Sequence, residues 1–443
     1  MPSSAPLSLQ HRLRTAHPLA PGMRRTLARL DRASTDEVRA FQERRLRALV
    51  RWAAARSPYH RAWFAEHDVS PADVRTLADL PRLPLLRRAD LVEGAERFLA
   101  YPRRLVWPSR SSGTSGSVVT VYRTPGSSAY ELAALQRQWG WFGVPPGARR
   151  LAIRAAGADA SQVAAGGPVT REVPGARQLL LSGYDVARAD PARLLAEVRA
   201  FAPDAVEGWP SAITALATLL LERGETLPVR AVITSSEVMT AAQRELMGAA
   251  YAAPVVDHYG QTERVTLAGT CEAGGYHLFD DYAITELLPV PGERERWEIV
   301  GTPLHNWGFP LLRYATGDLV GPAPAGPCPC GRGFARLGAV AGRAEDAFTS
   351  ADGRPLPLPG TVVDAVRGLR EVQIAQLAPG RFEVRMVPGA GAGDDVLAAA
   401  RADVLAAVER YFGPGQQVGF AVLDRIPRSA SGKLRPAVVE RAP

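Results

Sequence analysis

The chain has 443 residues, 46% hydrophobic and 22% charged, the make-up of an ordinary globular protein and too long for one small core, so a large domain plus a smaller one is expected. Three cysteines are too few, and odd in number, for a disulfide scaffold. The formal charge of +8 would suit a polyanion, but the arginines alternate with Asp and Glu along helical stretches and no nucleic-acid motif occurs. Solvated basic faces are the favoured reading, and no nucleic-acid partner is expected.

Residues 1–33 are basic and proline-containing without the apolar run of a signal peptide, and no later stretch is long enough to span a bilayer. A cytoplasmic location without membrane attachment is the default expectation. Ser34-Thr35-Asp36-Glu37 reads as a capping box, and Val38, Phe41, Leu46, Leu49, Val50 and Ala53 then recur at helical spacing. Ser57 to Phe64 and Leu80 to Leu91 carry further helix and turn signals without chemistry of their own.

A run of small hydroxyls follows, Ser111-Ser112-Gly113-Thr114-Ser115-Gly116, flanked by Ser109 and Ser117. Two glycines free the backbone so that amides and hydroxyls can wrap phosphate oxygens; a plain Ser/Gly linker is the alternative. From residue 150 the pattern alternates: strands at Leu151–Ile153, Leu179–Leu181, Ala205–Glu207, Val229–Thr234 and Val255–His258, with helices at Pro191–Phe201, Ser211–Leu221 and Ala241–Tyr251. Such alternation predicts an α/β fold with a doubly wound parallel sheet, whose ligands bind beyond the carboxyl ends of strands. Three polar clusters occupy those ends: Gly208-Trp209-Pro210-Ser211, Ser235-Ser236-Glu237, and Tyr259-Gly260-Gln261-Thr262-Glu263 after His258.

Cys271, His277, Cys328 and Cys330 include all three cysteines. Three thiolates and an imidazole suit a closed, structural Zn²⁺ site, with buried small cysteines as the other reading. Towards the end, a short helix at Thr361–Val366, a hairpin of Val372–Leu377 with Phe382–Val387, a helix capped by Asp394 or Asp395 and stopped by Gly413, and a strand at Val418–Val422 form a compact α+β unit. Its last loop holds Lys433, the single lysine among 53 basic residues. A position that keeps lysine where every other cation is arginine suits a slender point charge, a leftover lysine on a solvated tail being the other reading.

The loop Pro427-Arg428-Ser429-Ala430-Ser431-Gly432-Lys433 resembles the last motif of the adenylate-forming superfamily of acyl-CoA synthetases, luciferases and peptide-synthetase adenylation domains. Three further motifs stand in register. Ser111 to Gly116 resembles the loop that cradles the β- and γ-phosphates of ATP. Tyr259 to Glu263 resembles Y-G-x-T-E, and Arg313-Tyr314-Ala315-Thr316-Gly317-Asp318 resembles R-Y-x-T-G-D. Gly342-Arg343-Ala344-Glu345-Asp346 is similar to G-R-x-D-D, and the N-terminal segments are similar to those of phenylacetate-CoA ligases, some relatives of which carry the Cys/His/Cys-x-Cys set.

The resemblance implies roles. Tyr259 would lie against adenine, with Ser235, Ser236, Glu237, His258, Gly260 and Gln261 lining the AMP site. Thr262 would touch the α-phosphate, Glu263 would hold Mg²⁺, Asp318 would bind both ribose hydroxyls, and Arg343 would reach the nucleotide. Lys433 would bind the carboxylate and α-phosphate, and Glu345 or Asp346 would be the hinge between a large domain, residues 1–342, and a mobile lid, residues 343–443. Tyr130, Trp209 and Ser211 are candidates for the acyl pocket.

The implied reaction is activation of an aryl or acyl carboxylate as acyl-AMP, with pyrophosphate released and the acyl group passed to a thiol, CoA being the expected co-substrate. A place in secondary metabolism and a homodimer are further expectations. The segment after the hinge departs from the family pattern, so an amine acceptor is the alternative; a decayed nucleotide-binding protein is a third.

Overall fold

The computed structural model describes residues 9–110, 119–154, 168–183, 186, 189–291, 293, 295–343, 348–353, 355–356, 361–364, 366, 368–389, 392–428 and 434–440. The chain forms two compact units, one joining Gly147–Val255 to Ala341–Pro443 and the other joining Pro6–Pro146 to Val256–Val340. Among the described residues no helix is long and apolar enough to cross a membrane.

In the first unit, strands Ala231–Ser235, Ala205–Gly208, Arg150–Arg154 and Gln178–Ser182 lie side by side in that order, all parallel, and Thr170–Val173 closes the edge antiparallel. Leu151 and Ile153, two apart on one strand, share a face with Val206 and Val232. Helices Pro191–Phe201, Pro210–Glu222 and Ala241–Tyr251 bury Leu194, Val198, Ile213, Leu216, Leu220, Met247 and Tyr251 in the same core. The crossover rule brings the carboxyl ends of the strands, and with them Trp209 and Ser235, to one edge.

The C-terminal part of this unit is α+β. Its hairpin, Leu369–Ala378 with Arg381–Pro388, turns at Pro379-Gly380, where Gly380 has φ +68°. Strands Gln417–Val422 and Ala437–Val439 add parallel on the two outer sides. Helix Asp394–Phe412 packs Ala400, Val404, Val408 and Phe412 on Ile374, Phe382, Val384 and Met386. The expected aspartate cap is corrected: Gly393 is the N-cap, and Asp394 and Asp395 sit inside the first turn, where their charge favours the helix dipole. The short helix is Thr361–Asp364 and the last predicted strand starts one residue early.

The second unit holds helix Thr35–Arg56, whose six predicted apolar residues are all buried and whose capping box is formed, with Ser34 N–H on Glu37 at 2.9 Å. It also holds two antiparallel assemblies, of which the sequence pattern disclosed only the strand at Val255–His258, there expected in the parallel sheet. In one, Val255–Gly260 pairs through His258, Tyr259 and Gly260 with Leu267–Thr270, followed by Tyr276–Leu278 and Arg336–Leu337. In the other, Ala283–Pro289, Trp297–Pro303 and Tyr314–Val320 form a meander.

Arg313 pins the start of that last strand. It adopts φ +53°, its Nε donates to both oxygens of Glu286 at 3.1 and 2.9 Å, and its Nη1 donates to the Leu83 carbonyl at 2.9 Å. Both side chains are largely hidden from water. Removing one partner of a buried pair strands the other, so Arg313→Met is expected to lower the unfolding free energy by about 3 kcal/mol in urea titration. A loss below about 0.5 kcal/mol would show that the pair behaves as a surface one.

Candidate functional site

Two motifs far apart in sequence meet in the second unit. Strand pairing carries Tyr259 to the meander, and its hydroxyl donates to Asp318 Oδ2 at 2.6 Å. Gln261 Nε2 donates in turn to the Tyr259 oxygen at 3.3 Å. The turn before Asp318 is held by its own side chains: Asp318 N–H donates to Thr316 Oγ1 at 3.0 Å, and Thr316 Oγ1 donates to the Ile299 carbonyl at 2.8 Å. Gly317, at φ +74°, supplies the left-handed residue the turn requires. Burial, and then the negative charge of Asp318, hold the Tyr259 phenol well above its ordinary pKa, so it stays a donor.

The acidic end of the first motif is also tied down. Glu263 is buried and accepts from the Tyr314 hydroxyl at 3.2 Å. Arg123 Nη2 donates to the Thr262 carbonyl at 2.7 Å. Burial brings that guanidinium down to about 10, yet it remains charged at neutral pH. Arg123 closes strand Thr120–Arg123, which pairs with Trp107–Arg110. The structure thereby links Arg123, which belongs to none of the sequence motifs, to Thr262. Ser111, Ser112, Gly113, Thr114, Ser115 and Gly116 lie outside the described residues, as do Glu345, Asp346 and Lys433. Arg343 ends strand Val340–Arg343, and its side chain is likewise outside them.

In the first unit the other two clusters converge. Ser236 adopts φ +71° directly after strand Ala231–Ser235 and turns Glu237 towards helix Pro210–Glu222. Glu237 accepts from Ser211 N–H at 3.0 Å and from Ser211 Oγ at 3.1 Å. These bonds satisfy a first-turn amide that the helix itself cannot. Gly208 is obligatory, since a Cβ there would stand 2.3 Å from the Ile153 carbonyl oxygen. Trp209 packs on the apolar core of the unit. Tyr130, in the second unit, is buried against His305 with ring centroids 5.6 Å apart, and its hydroxyl donates to the Asp281 carbonyl at 3.0 Å.

The four metal-type residues are brought together. One donor atom from each of Cys271, His277, Cys328 and Cys330 lies within 4.8 Å of the others. Cys271 Sγ and Cys328 Sγ are 3.6 Å apart, and Cys330 Sγ is 3.3 Å from His277 Nε2. With Zn–S bonds of about 2.3 Å, a tetrahedron has sulfur–sulfur edges of about 3.8 Å, so the donor set fits that ion. His277 Nδ1 faces the Phe334 carbonyl at 3.1 Å, which directs Nε2 inward. Burial pushes the Cys271 thiol up to about 11, a cost that a bound cation would remove.

Over 332 residues the chain is 28% identical to the phenylacetate-coenzyme A ligase of Thermus thermophilus, covering 72% of this chain and 73% of that one. It is also 28% identical over 335 residues to the phenylacetate-coenzyme A ligase of Aromatoleum evansii, with the same coverage. The crystal structure of 2-hydroxyisobutyryl-CoA ligase in the postadenylation state, in complex with 2-HIB-AMP, shares the fold with a TM-score of 0.72 at 21% identity, over 94% of this chain and 92% of that one. The likeness in sequence supports the adenylate-forming superfamily and, within it, the phenylacetate-CoA ligase-like branch. No protein-family model matches it.

The Tyr259–Asp318 bond joins two motif residues 59 positions apart, and its strength is measurable without a ligand. A double-mutant cycle with Tyr259→Phe and Asp318→Asn is expected to give a coupling energy of about 1–2 kcal/mol in chemical denaturation, as for a hydrogen bond to a carboxylate. Additive single effects would contradict the bond.

Proposed function

We propose that the protein is an ATP-dependent acid–thiol ligase that works in two half-reactions. In the first, an oxygen of an aryl or acyl carboxylate attacks the α-phosphorus of ATP, and the bond to the bridging oxygen breaks with loss of pyrophosphate. In the second, the thiolate of CoA attacks the acyl carbon, and AMP leaves with the bridging oxygen. The observation that carries this reading is the Tyr259–Asp318 hydrogen bond of 2.6 Å, which joins the adenine-side motif to the ribose-side motif.

The residues divide the work by chemistry. The Asp318 carboxylate offers two oxygens to the two ribose hydroxyls. Tyr259 presents its ring face to adenine, with Ser235, Ser236, His258, Gly260 and Gln261 around the base. Ser111 to Gly116 take the outer phosphates. Glu263 is the carboxylate that would hold Mg²⁺, a hard cation that prefers oxygen donors and would neutralise phosphate charge. Thr262 meets the α-phosphate, its backbone fixed from behind by Arg123. Lys433 opposes the charge that builds on the equatorial oxygens, so the chemistry is positioning and electrostatics.

Residues 343–443 are proposed as the lid that carries Lys433, turning about Glu345 or Asp346 between the half-reactions. The acyl pocket is assigned to the surroundings of Trp209 and Ser211. Tyr130 is the weaker pocket candidate, because its hydroxyl is already bound to the Asp281 carbonyl and its ring is stacked on His305. The Cys271, His277, Cys328, Cys330 set is proposed as a structural Zn²⁺ site. It would clip the turn after Leu267–Thr270, strand Tyr276–Leu278 and the loop before Arg336–Leu337, without an open position for substrate.

Two measurements test this reading. In Lys433→Ala, acid-dependent pyrophosphate release is expected to fall about a hundredfold, the usual loss for one preorganised charge donor. Near wild-type release would reject the assignment. Elemental analysis of protein purified without chelator is expected to give about one zinc per chain, falling with Cys328→Ser together with thermal stability. Zinc far below stoichiometry would reject the metal site.

A further inference from the structure

The hydrogen bonds at Glu237 assign it a second task, which rests on the ligase reading above. The Glu237 carboxylate accepts from the backbone N–H of Leu434 at 3.1 Å, through the oxygen that also takes Ser211 Oγ. Leu434 follows Lys433 directly in the chain. We propose that Glu237 is a positioning residue that clips the Leu434 amide, fixing the lysine-bearing segment for adenylate formation and not for thioester formation.

The clip is built from both sides. On the carboxylate side, Ser236 in the left-handed region aims Glu237, and Ser211 N–H and Oγ hold it in place. Little side-chain entropy is therefore left to lose when Leu434 binds. On the amide side, the segment after Lys433 is anchored along the C-terminal sheet. Leu434 is buried with Val387 and Ile426, Arg435 accepts at its carbonyl from Gln373 Nε2 at 2.8 Å, and Ile374 N–H donates to the Pro436 carbonyl at 2.8 Å. Upstream, Arg428 is paired with Glu371. The chain on each side of residues 429–433 thus belongs to the C-terminal sheet, and the Leu434 amide is the group it offers to the end of strand Ala231–Ser235.

The chemistry explains why this position wants a carboxylate. One anion takes three donors here, two from Ser211 and one from Leu434. Hydrogen bonds to a charged acceptor are the stronger kind. A clip of that strength biases a two-state equilibrium by a fixed factor, and it does so only for the half-reaction in which Lys433 acts.

The test uses the full-length chain, wild type, Glu237→Ala and Glu237→Gln, with two readouts. The first is amide hydrogen exchange by mass spectrometry of peptides spanning Leu434, which needs no activity. Leu434 is expected to be protected in the wild type and to lose protection in Glu237→Ala, while helix Pro210–Glu222 stays protected beyond its first turn. The second compares acid-dependent pyrophosphate–ATP exchange with CoA thioester formation from chemically supplied acyl-adenylate. Glu237→Ala is expected to slow the former about ten- to a hundredfold, the range a hydrogen bond to a charged group sustains. The latter is expected to fall at least about fivefold less than the former.

Glu237→Gln keeps one acceptor oxygen but no charge, and is expected to recover only part of the loss. Equal loss in both half-reactions, or an unprotected Leu434 amide in the wild type, would overturn the proposal. A wild type inert in both half-reactions would refute the ligase reading instead, and hydrogen exchange would still decide the clip.

Discussion

The arrangement of Tyr259, Glu263, Tyr314 and Asp318 depends on one buried guanidinium. Arg313 satisfies Glu286 and the Leu83 carbonyl with its side chain, and its own N–H donates to Thr302 Oγ1 at 2.9 Å. Its carbonyl accepts from Leu86 N–H, and Ala315 N–H returns to the Leu86 carbonyl. Together these bonds of Arg313 and Ala315 set the register of the strand that carries Tyr314 and Asp318. Tyr314 then reaches Glu263, and Asp318 reaches Tyr259. A lysine could not replace this, because its donors all radiate from one nitrogen, whereas the guanidinium reaches Glu286 through Nε and the Leu83 carbonyl through Nη1.

The parallel sheet was legible because its strands are short apolar runs bounded by helices of clear period, as at Leu151–Ile153 and Pro191–Phe201. The antiparallel meander was not. Ala283–Pro289 and Trp297–Pro303 mix Glu, Thr and Gly among apolar residues and lack a regular alternation, so only the pairing itself reveals them. The edge strand Thr170–Val173 is four residues long and equally silent. Asp394 looked like a cap because aspartate usually is one, but Gly393 takes the extended conformation and the helix starts a residue earlier than that choice implies.

Site residues divide in the same way. Tyr259, Glu263 and Asp318 stood out as candidates because their motifs are contiguous in sequence. Arg123 and Tyr314 were given no role of their own, because each acts through a residue more than fifty positions away. Glu237 was read as lining the base, and no local signal connects it with Leu434, 197 residues later. The Cys/His set was readable as a ligand set, whereas its compactness, with every donor within 4.8 Å, needed the strands that bring Cys271 and Cys330 together. Interactions that span the chain are what a single sequence leaves unwritten.

The central claim is that this protein joins a carboxylate to AMP, and the most direct measurement is exchange of labelled pyrophosphate into ATP across aryl, aliphatic and amino acids. It reads the first half-reaction without any acceptor. The account predicts exchange that requires an added acid, favours one class of acid, and saturates with it. No exchange above the acid-free background with any acid, in folded protein that binds ATP, would contradict it.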